Sequence, residues 1–417
     1  MIKDFYLNKV YPYLIGLLLV SLPFERLLTV ELSGYTLKFS YLFGILLIAY
    51  FFCDLIRRKV KDNVAAEEVL LVFFSVMAFL TLFWTLDFKR SLVISLMFLF
   101  MALIFIVLRR LIDDKRSIAL ENLLIWLGLA AAIFGLWQFF AGSFDSISHL
   151  AFLRPQYTKE LFGFPRIQST FLEPLYFADF LLISIGLLIK RVCLGVHDYL
   201  KLFIIGIAFF LTLSRGGIYA LAGGLVLALL VILVKFRKYL AKYLLSILVI
   251  VAAALVSLAL IYVVSGHRGV GNYFSQAQNT SLSSDEVDNN RLSTTQVAWR
   301  TFKNHPFGIG AGAFGALPEY KSNIPARGYQ TVNNLYLEVL VEEGIIGLVF
   351  LAGFVVLLII DLIKRIGLGK IENLFYLAIL VSFLIQFLTF STLYIMYIWV
   401  FLALAWSAAP PRKSKDN

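Results

Sequence analysis

The sequence has little of what metal and redox sites need. It holds 2 cysteines and 4 histidines in 417 residues, and their scatter offers no metal-ligand spacing. Cys53 and Cys193 both fall at expected cytoplasmic helix ends, where a structural disulfide is not expected. Charged residues make up 15% against 60% hydrophobic, too little polar surface for a soluble domain of this size. Internal repeats, low-complexity tracts and an appended soluble domain are missing too. Asp285-Glu-Val-Asp288 lacks the spacing of a calcium loop and reads as a solvated turn.

What is there is apolar and long. Mean hydropathy is +0.86, and runs of roughly 18 or more apolar residues recur along the chain. In hydrocarbon only helices and closed barrels satisfy every backbone N–H and C=O. These runs are too long and too unalternating for barrel strands. The expected fold is an all-α, polytopic membrane protein with twelve spans, near 10–24, 39–56, 68–86, 91–108, 120–141, 172–189, 199–213, 217–234, 244–264, 338–361, 373–390 and 393–408. Residues 1–264 carry the first nine, with a short external loop at 142–171. Residues 265–334 form one long external loop, 335–408 carry the last three spans, and 409–417 form a cytoplasmic tail. Lys3 and Lys9 precede the first apolar run without a small-residue cleavage site, which reads as an uncleaved span.

The net charge of +11 does not point to nucleic acid, because it follows topology. Arg57-Arg58-Lys59, Arg109-Arg110, Lys190-Arg191, Lys235-Arg237-Lys238, Lys364-Arg365 and Arg412-Lys413 fall on one side. The positive-inside rule makes that side the cytoplasm, with both termini there.

Candidate site residues gather on the opposite side. Arg215 stands between two apolar runs, in Ser214-Arg-Gly-Gly217. A guanidinium there either anchors a hairpin at the headgroups or serves function. Its external position runs against the orientation signal and favours function. Arg166 precedes Ser169-Thr-Phe-Leu-Glu-Pro174, where Glu173 and Pro174 suit a helix start; Asp179 is a further buried acid. Arg291 and Trp299 lie in Asn289-Asn-Arg-Leu-Ser-Thr-Thr-Gln-Val-Ala-Trp-Arg300, the beginning of an amphipathic helix. Of Asn333 and Asn334, one suits a helix cap and the other is free for a ligand. Glu338 and Glu342 share a helix face. Gly310, Gly312 and Gly315 spell G-x-G-x-x-G, but with no βαβ unit around them they read as a closely packed turn. Several external arginines without a matching acidic run fit an anionic ligand, and guanidinium forks suit phosphate oxygens.

These motifs, in this order and sidedness, resemble the O-antigen ligase and polymerase superfamily. The likeness rests on Arg166 before Ser-Thr-Phe-Leu-Glu-Pro, Leu213-Ser-Arg-Gly-Gly217, Arg291 eight residues before Trp299, His305-Pro-Phe-Gly-Ile-Gly310, and Asn334-Leu-Tyr-Leu with Glu343-Gly-Ile-Ile-Gly347. The resemblance implies a membrane-embedded, C-type (GT-C-like) glycosyltransferase, inverting and without a metal or other cofactor. It would act on an undecaprenyl-diphosphate-linked glycan donor at the outer face of the bacterial inner membrane. Arg215 and Arg291 fall where the family binds donor diphosphate, and Asn333 stands where ligases carry a histidine. Asparagine can hydrogen-bond but cannot act as a general base. The resemblance therefore implies catalytic roles for Arg215, Arg291 and Asn333, and substrate contacts for Arg166, Glu173, Asn334, Trp299 and Glu338. It tilts the reading toward a polysaccharide-repeat polymerase over a ligase acting on a lipid A-core or protein acceptor. A transporter of the same lipid-linked glycans is the rival from another class. Transporters keep their sites near the midplane and show repeat symmetry.

Overall fold

The computed structural model describes residues 2–27, 29–32, 35–58, 64–279, 287–322, 329–391 and 393–407. The side chains of 2–9, 31, 32, 35, 57, 58, 161, 162, 266–279 and 287–293 fall outside the description. The chain is an all-α membrane protein. In order its helices are α1 (Ile2–Ser21), α2 (Phe39–Arg58), α3 (Ala66–Leu80), α4 (Phe88–Leu111), α5 (Asp114–Ser143), α6 (Lys159–Phe162), α7 (Pro174–Cys193) and α8 (Tyr199–Leu211). There follow α9 (Arg215–Lys235), α10 (Leu240–Asn279), α11 (Val287–Asn304), α12 (Pro318–Lys321), α13 (Leu335–Glu342), α14 (Gly344–Gly367), α15 (Glu372–Gln386) and α16 (Met396–Ser407). A two-stranded antiparallel ribbon, β1 (Val30–Leu32) with β2 (Tyr35–Leu37), joins α1 to α2. No apolar-run argument anticipates it.

Every expected span carries a helix, but not every helix has spanning length. Seven described helices are long and apolar enough to cross a membrane. Helices α8, α15 and α16 have only 13, 15 and 12 residues. At 1.5 Å rise per residue α8 is about 20 Å long, short of a hydrocarbon layer of roughly 30 Å. Two boundaries also differ from the sequence reading. The span expected at 244–264 continues as helix to Asn279, well into the segment read as loop. The span expected at 338–361 is broken into α13 and α14. There Gly344 takes φ +75°, and a methyl built on it would lie 2.4 Å from the Phe307 carbonyl carbon. The Pro306 carbonyl accepts from Ile345 N–H at 3.0 Å. Only glycine permits that approach.

The chain divides into two compact units, 1–123 with 298–377 and 391–417, and 124–297 with 378–390. In the first, α3 packs on α4 and α14, and α4 packs on α16. Phe354 bridges Phe105 edge-on at 5.1 Å and Trp399 stacked at 6.4 Å. Buried Glu68 takes ion pairs from Arg109 at 2.7 Å and Arg110 at 2.8 Å. In the second unit α8 packs against α7 and α10, and α9 against α7 and α10. Gly223 and Gly224 let α9 approach Ile385 and Ser382 of α15. The basic pairs used above as topology signals fall in the last turns of α4, α7 and α14. They therefore also complement the helix dipoles.

Candidate functional site

In the second unit, α8 ends at Leu211 and α9 begins four residues later. Leu213 between them has φ +52°, a left-handed conformation rare for a bulky residue. Ser214 caps α9, its Oγ accepting from Gly217 N–H at 3.2 Å. Arg215 is thereby delivered as the first residue of an apolar helix. It is exposed and has no hydrogen-bond or ion-pair partner among the described residues. The amides at a helix start are unpaired within the helix, and the dipole places partial positive charge there.

Arg166 belongs to the same turn. Its Nε donates to the Thr212 carbonyl at 2.7 Å and its Nη2 reaches the Leu213 carbonyl at 3.4 Å. Its guanidinium lies 5.8 Å from the Tyr157 ring centre. Burial and the neighbouring Glu173 charge push the Tyr157 phenol above its usual range, with Arg166 pulling the other way. Arg166, Tyr157 and Glu173 thus form one cluster behind the Ser-Arg-Gly turn. Glu173 is the N-cap of α7, with Pro174 at its first position, as the sequence implies. Asp179 is fully buried in the same helix. Ser169, also left-handed at φ +54°, is pinned by Gln138, whose Oε1 accepts from Ser169 N–H at 2.7 Å and whose Nε2 donates to Ser169 O at 3.0 Å. Gln138 was not singled out from the sequence. A fully buried amide in an apolar run was the available signal.

The first unit holds the second cluster. Asn334 caps α13, its Oδ1 accepting from Leu337 N–H at 3.1 Å. Asn333 before it is left-handed at φ +56°, a region asparagine tolerates better than most residues. Its Oδ1 accepts from Thr331 Oγ1 at 3.3 Å. Glu338 is buried and accepts from Ser391 Oγ at 2.9 Å, Val332 N at 3.2 Å and Tyr394 Oη at 3.2 Å. The Val332 bond ties it to the segment that presents Asn333. One turn later Glu342 accepts from Gly312 N at 2.7 Å and Phe314 N at 3.2 Å. The glycine-rich loop is therefore a packed turn closed on a carboxylate. Gly308, Gly310 and Gly312 all take positive φ. Arg90, which sequence reasoning missed, donates through Nε to Gly312 O at 2.7 Å and lies 3.8 Å above the Tyr329 ring. Glu343 is fully buried, with neither carboxylate oxygen hydrogen-bonded among the described residues. These acids precede the span that starts at Gly344. Burial, and then the Glu338 charge, push Glu342 up to about 8, and burial raises Glu343 well above the carboxylate range.

Two candidates are not placed so closely. Arg291 lies in α11, with its side chain outside the described residues. Trp299, further along α11, is 48% exposed, with Phe302 at 5.7 Å and Lys303 at 5.8 Å from its ring. The sequence-predicted residues therefore assemble as Arg166, Glu173 and Arg215 in one unit and Asn333, Asn334 and Glu338 in the other.

No curated protein matches the chain. A family model does: residues 200–352 match the family described as O-antigen ligase. The match runs from α8 into α14 and takes in Arg215, Arg291, Asn333 and Glu338. Of the four left-handed, non-glycine residues among those described, Phe152, Ser169, Leu213 and Asn333, Ser169 and Leu213 fall inside motifs of the family likeness and Asn333 directly precedes one. Strained backbone of this kind concentrates at functional sites. Over residues 200–352 the chain is therefore similar to the O-antigen ligase family.

Proposed function

We propose that this protein polymerises oligosaccharide repeats carried on undecaprenyl diphosphate, at the outer face of the bacterial inner membrane, with both termini in the cytoplasm. The observation that carries the reading is Arg215, an exposed guanidinium without a partner among the described residues, at the first turn of an apolar helix. Such a charge, with unpaired amides beside it, suits a phosphate group. Arg215 and Arg291 neutralise the donor diphosphate, and their charge does the work a divalent cation does elsewhere. The hydroxyl of the acceptor repeat attacks the anomeric carbon from the side opposite the diphosphate. The new glycosidic bond forms as the carbon–oxygen bond to diphosphate breaks, with inversion. Asn333 orients the acceptor hydroxyl, whose proton leaves with the diphosphate. Asn334 and Glu338 hold the segment bearing Asn333, Arg166 and Glu173 hold the turn bearing Arg215, and Trp299 offers a ring face to a sugar.

Asn333 favours polymerisation, because ligases of the likeness carry histidine there. The description of the matching family favours the second reading, transfer of the finished glycan to a lipid A-core or protein acceptor. Purified protein given lipid-linked repeats tests the assignment. Arg215→Ala and Arg291→Ala should abolish product while leaving protein in the membrane fraction. Wild-type-like product from both variants overturns it.

A further inference from the structure

Gln386 is the last residue of α15 and its side chain is 0% exposed. Neither its Oε1 nor its Nε2 has a hydrogen-bond partner among the described residues. A buried carboxamide without partners costs free energy, and native structures keep such groups for a reason. The carboxamide lies against the start of α9. A methyl built on Gly216 would stand 2.9 Å from Gln386 Oε1, 3.1 Å from Nε2 and 2.5 Å from Thr389 Oγ1. Gly216 therefore leaves room for an amide that a larger residue would displace. Packing fixes the approach: Ile385 and Ser382 rest on Gly223 and Gly224 of the same helix. Gly216 follows Arg215 in the first turn of a 21-residue helix. The Gly217 amide is taken by Ser214 Oγ, which leaves the Arg215 and Gly216 amides of that turn without an acceptor among the described residues.

We propose that Gln386 is a binding residue for the diphosphate of the lipid-linked donor, its Nε2 donating to a phosphate oxygen beside Arg215 and the Arg215 and Gly216 amides. This rests on the reading of Arg215 as a diphosphate ligand. A neutral amide suits the place. It satisfies an oxygen without a second fixed charge, so the diphosphate product is not held too tightly to leave.

The test uses full-length protein in detergent, with inorganic pyrophosphate and farnesyl diphosphate as probes, read as the shift in thermal unfolding and the dissociation constant. Gln386→Met keeps the shape and removes both polar atoms. Its unliganded Tm should equal or exceed wild type, and its affinity should fall roughly ten- to a hundredfold, the range for a hydrogen bond to a charged group. Weakening with both probes assigns the contact to the diphosphate alone. Weakening with farnesyl diphosphate only assigns it to the prenyl-borne group. Wild-type affinity in Gln386→Met, with binding lost in Arg215→Ala, overturns the inference and leaves the functional reading standing. Wild-type affinity in Arg215→Ala, or no binding of either probe to wild type, overturns both. Should Gln386→Met not fold, Gln386→Asn withdraws the same amide by one methylene, and wild-type affinity there is equally refuting.

Discussion

Arg166 is the residue whose role the geometry changes most. The sequence offers it as a substrate contact, yet its Nε is 2.7 Å from the Thr212 carbonyl and its Nη2 3.4 Å from that of Leu213. These carbonyls flank the left-handed Leu213 that sets the direction of Arg215. Removing Arg166 deletes one strong charge-assisted bond and one weak one, about 2 kcal/mol together. A left-handed L-residue costs roughly 1–2 kcal/mol, so the turn loses much of what holds it in a strained state. Arg166→Ala should lower glycan formation about thirtyfold, at 1.4 kcal/mol per factor of ten. Leu213→Gly removes the left-handed penalty, because glycine occupies that region freely. Added to Arg166→Ala it should restore activity by roughly fivefold, a non-additive result for neighbouring sites. The assay is product formation by single and double variants at matched membrane levels. An Arg166→Ala variant as active as wild type refutes the reasoning. So does a double variant that loses the product of the two single effects.

Other consequences are equally direct. Gly310→Ala places a methyl 2.0 Å from Thr85 Oγ1 at φ +114°, so membrane-inserted protein should fall sharply, while Gly16→Ala, which meets nothing within 4 Å, should leave the level unchanged. Asn334→Ala removes the α13 cap and should cost about 1 kcal/mol, visible as a lower Tm that Asn334→Asp largely restores. Burial, and then the Glu338 charge, push Glu342 up to about 8 in the fold, above the ordinary carboxylate value of 4.5. The fold therefore holds a proton that the unfolded chain has released. That stability is full below about pH 4.5 and is lost as pH rises through 8. Tm should decline between pH 6 and 9, and Glu342→Gln should flatten the decline.

The membrane class and the helical regions were legible because apolar runs this long admit few other folds. The turn at Ser214-Arg215-Gly216-Gly217 was legible because a charge and two glycines interrupt such a run. The break at Glu343-Gly344 was hidden, since both sides are apolar and the cause is Pro306 and Phe307, distant in sequence. The extension of α10 to Asn279 was hidden because its last turns are polar and glycine-containing, which reads as loop. Glu338 and Glu342 were visible as a shared helix face, but not as carboxylates already occupied by protein donors. Arg90, Gln138 and Gln386 were passed over as single polar residues in apolar stretches. Intramembrane polar residues repay closer attention than periodicity gives them.

The most direct test is the surface glycan profile of a clean deletion strain beside wild type and strains carrying the wild-type or Arg215→Ala gene. The account predicts surface glycan capped with a single repeat, long chains absent, restored by wild type and not by Arg215→Ala. Complete loss of surface glycan, with long chains accumulating on the carrier lipid, contradicts polymerisation and assigns ligation instead.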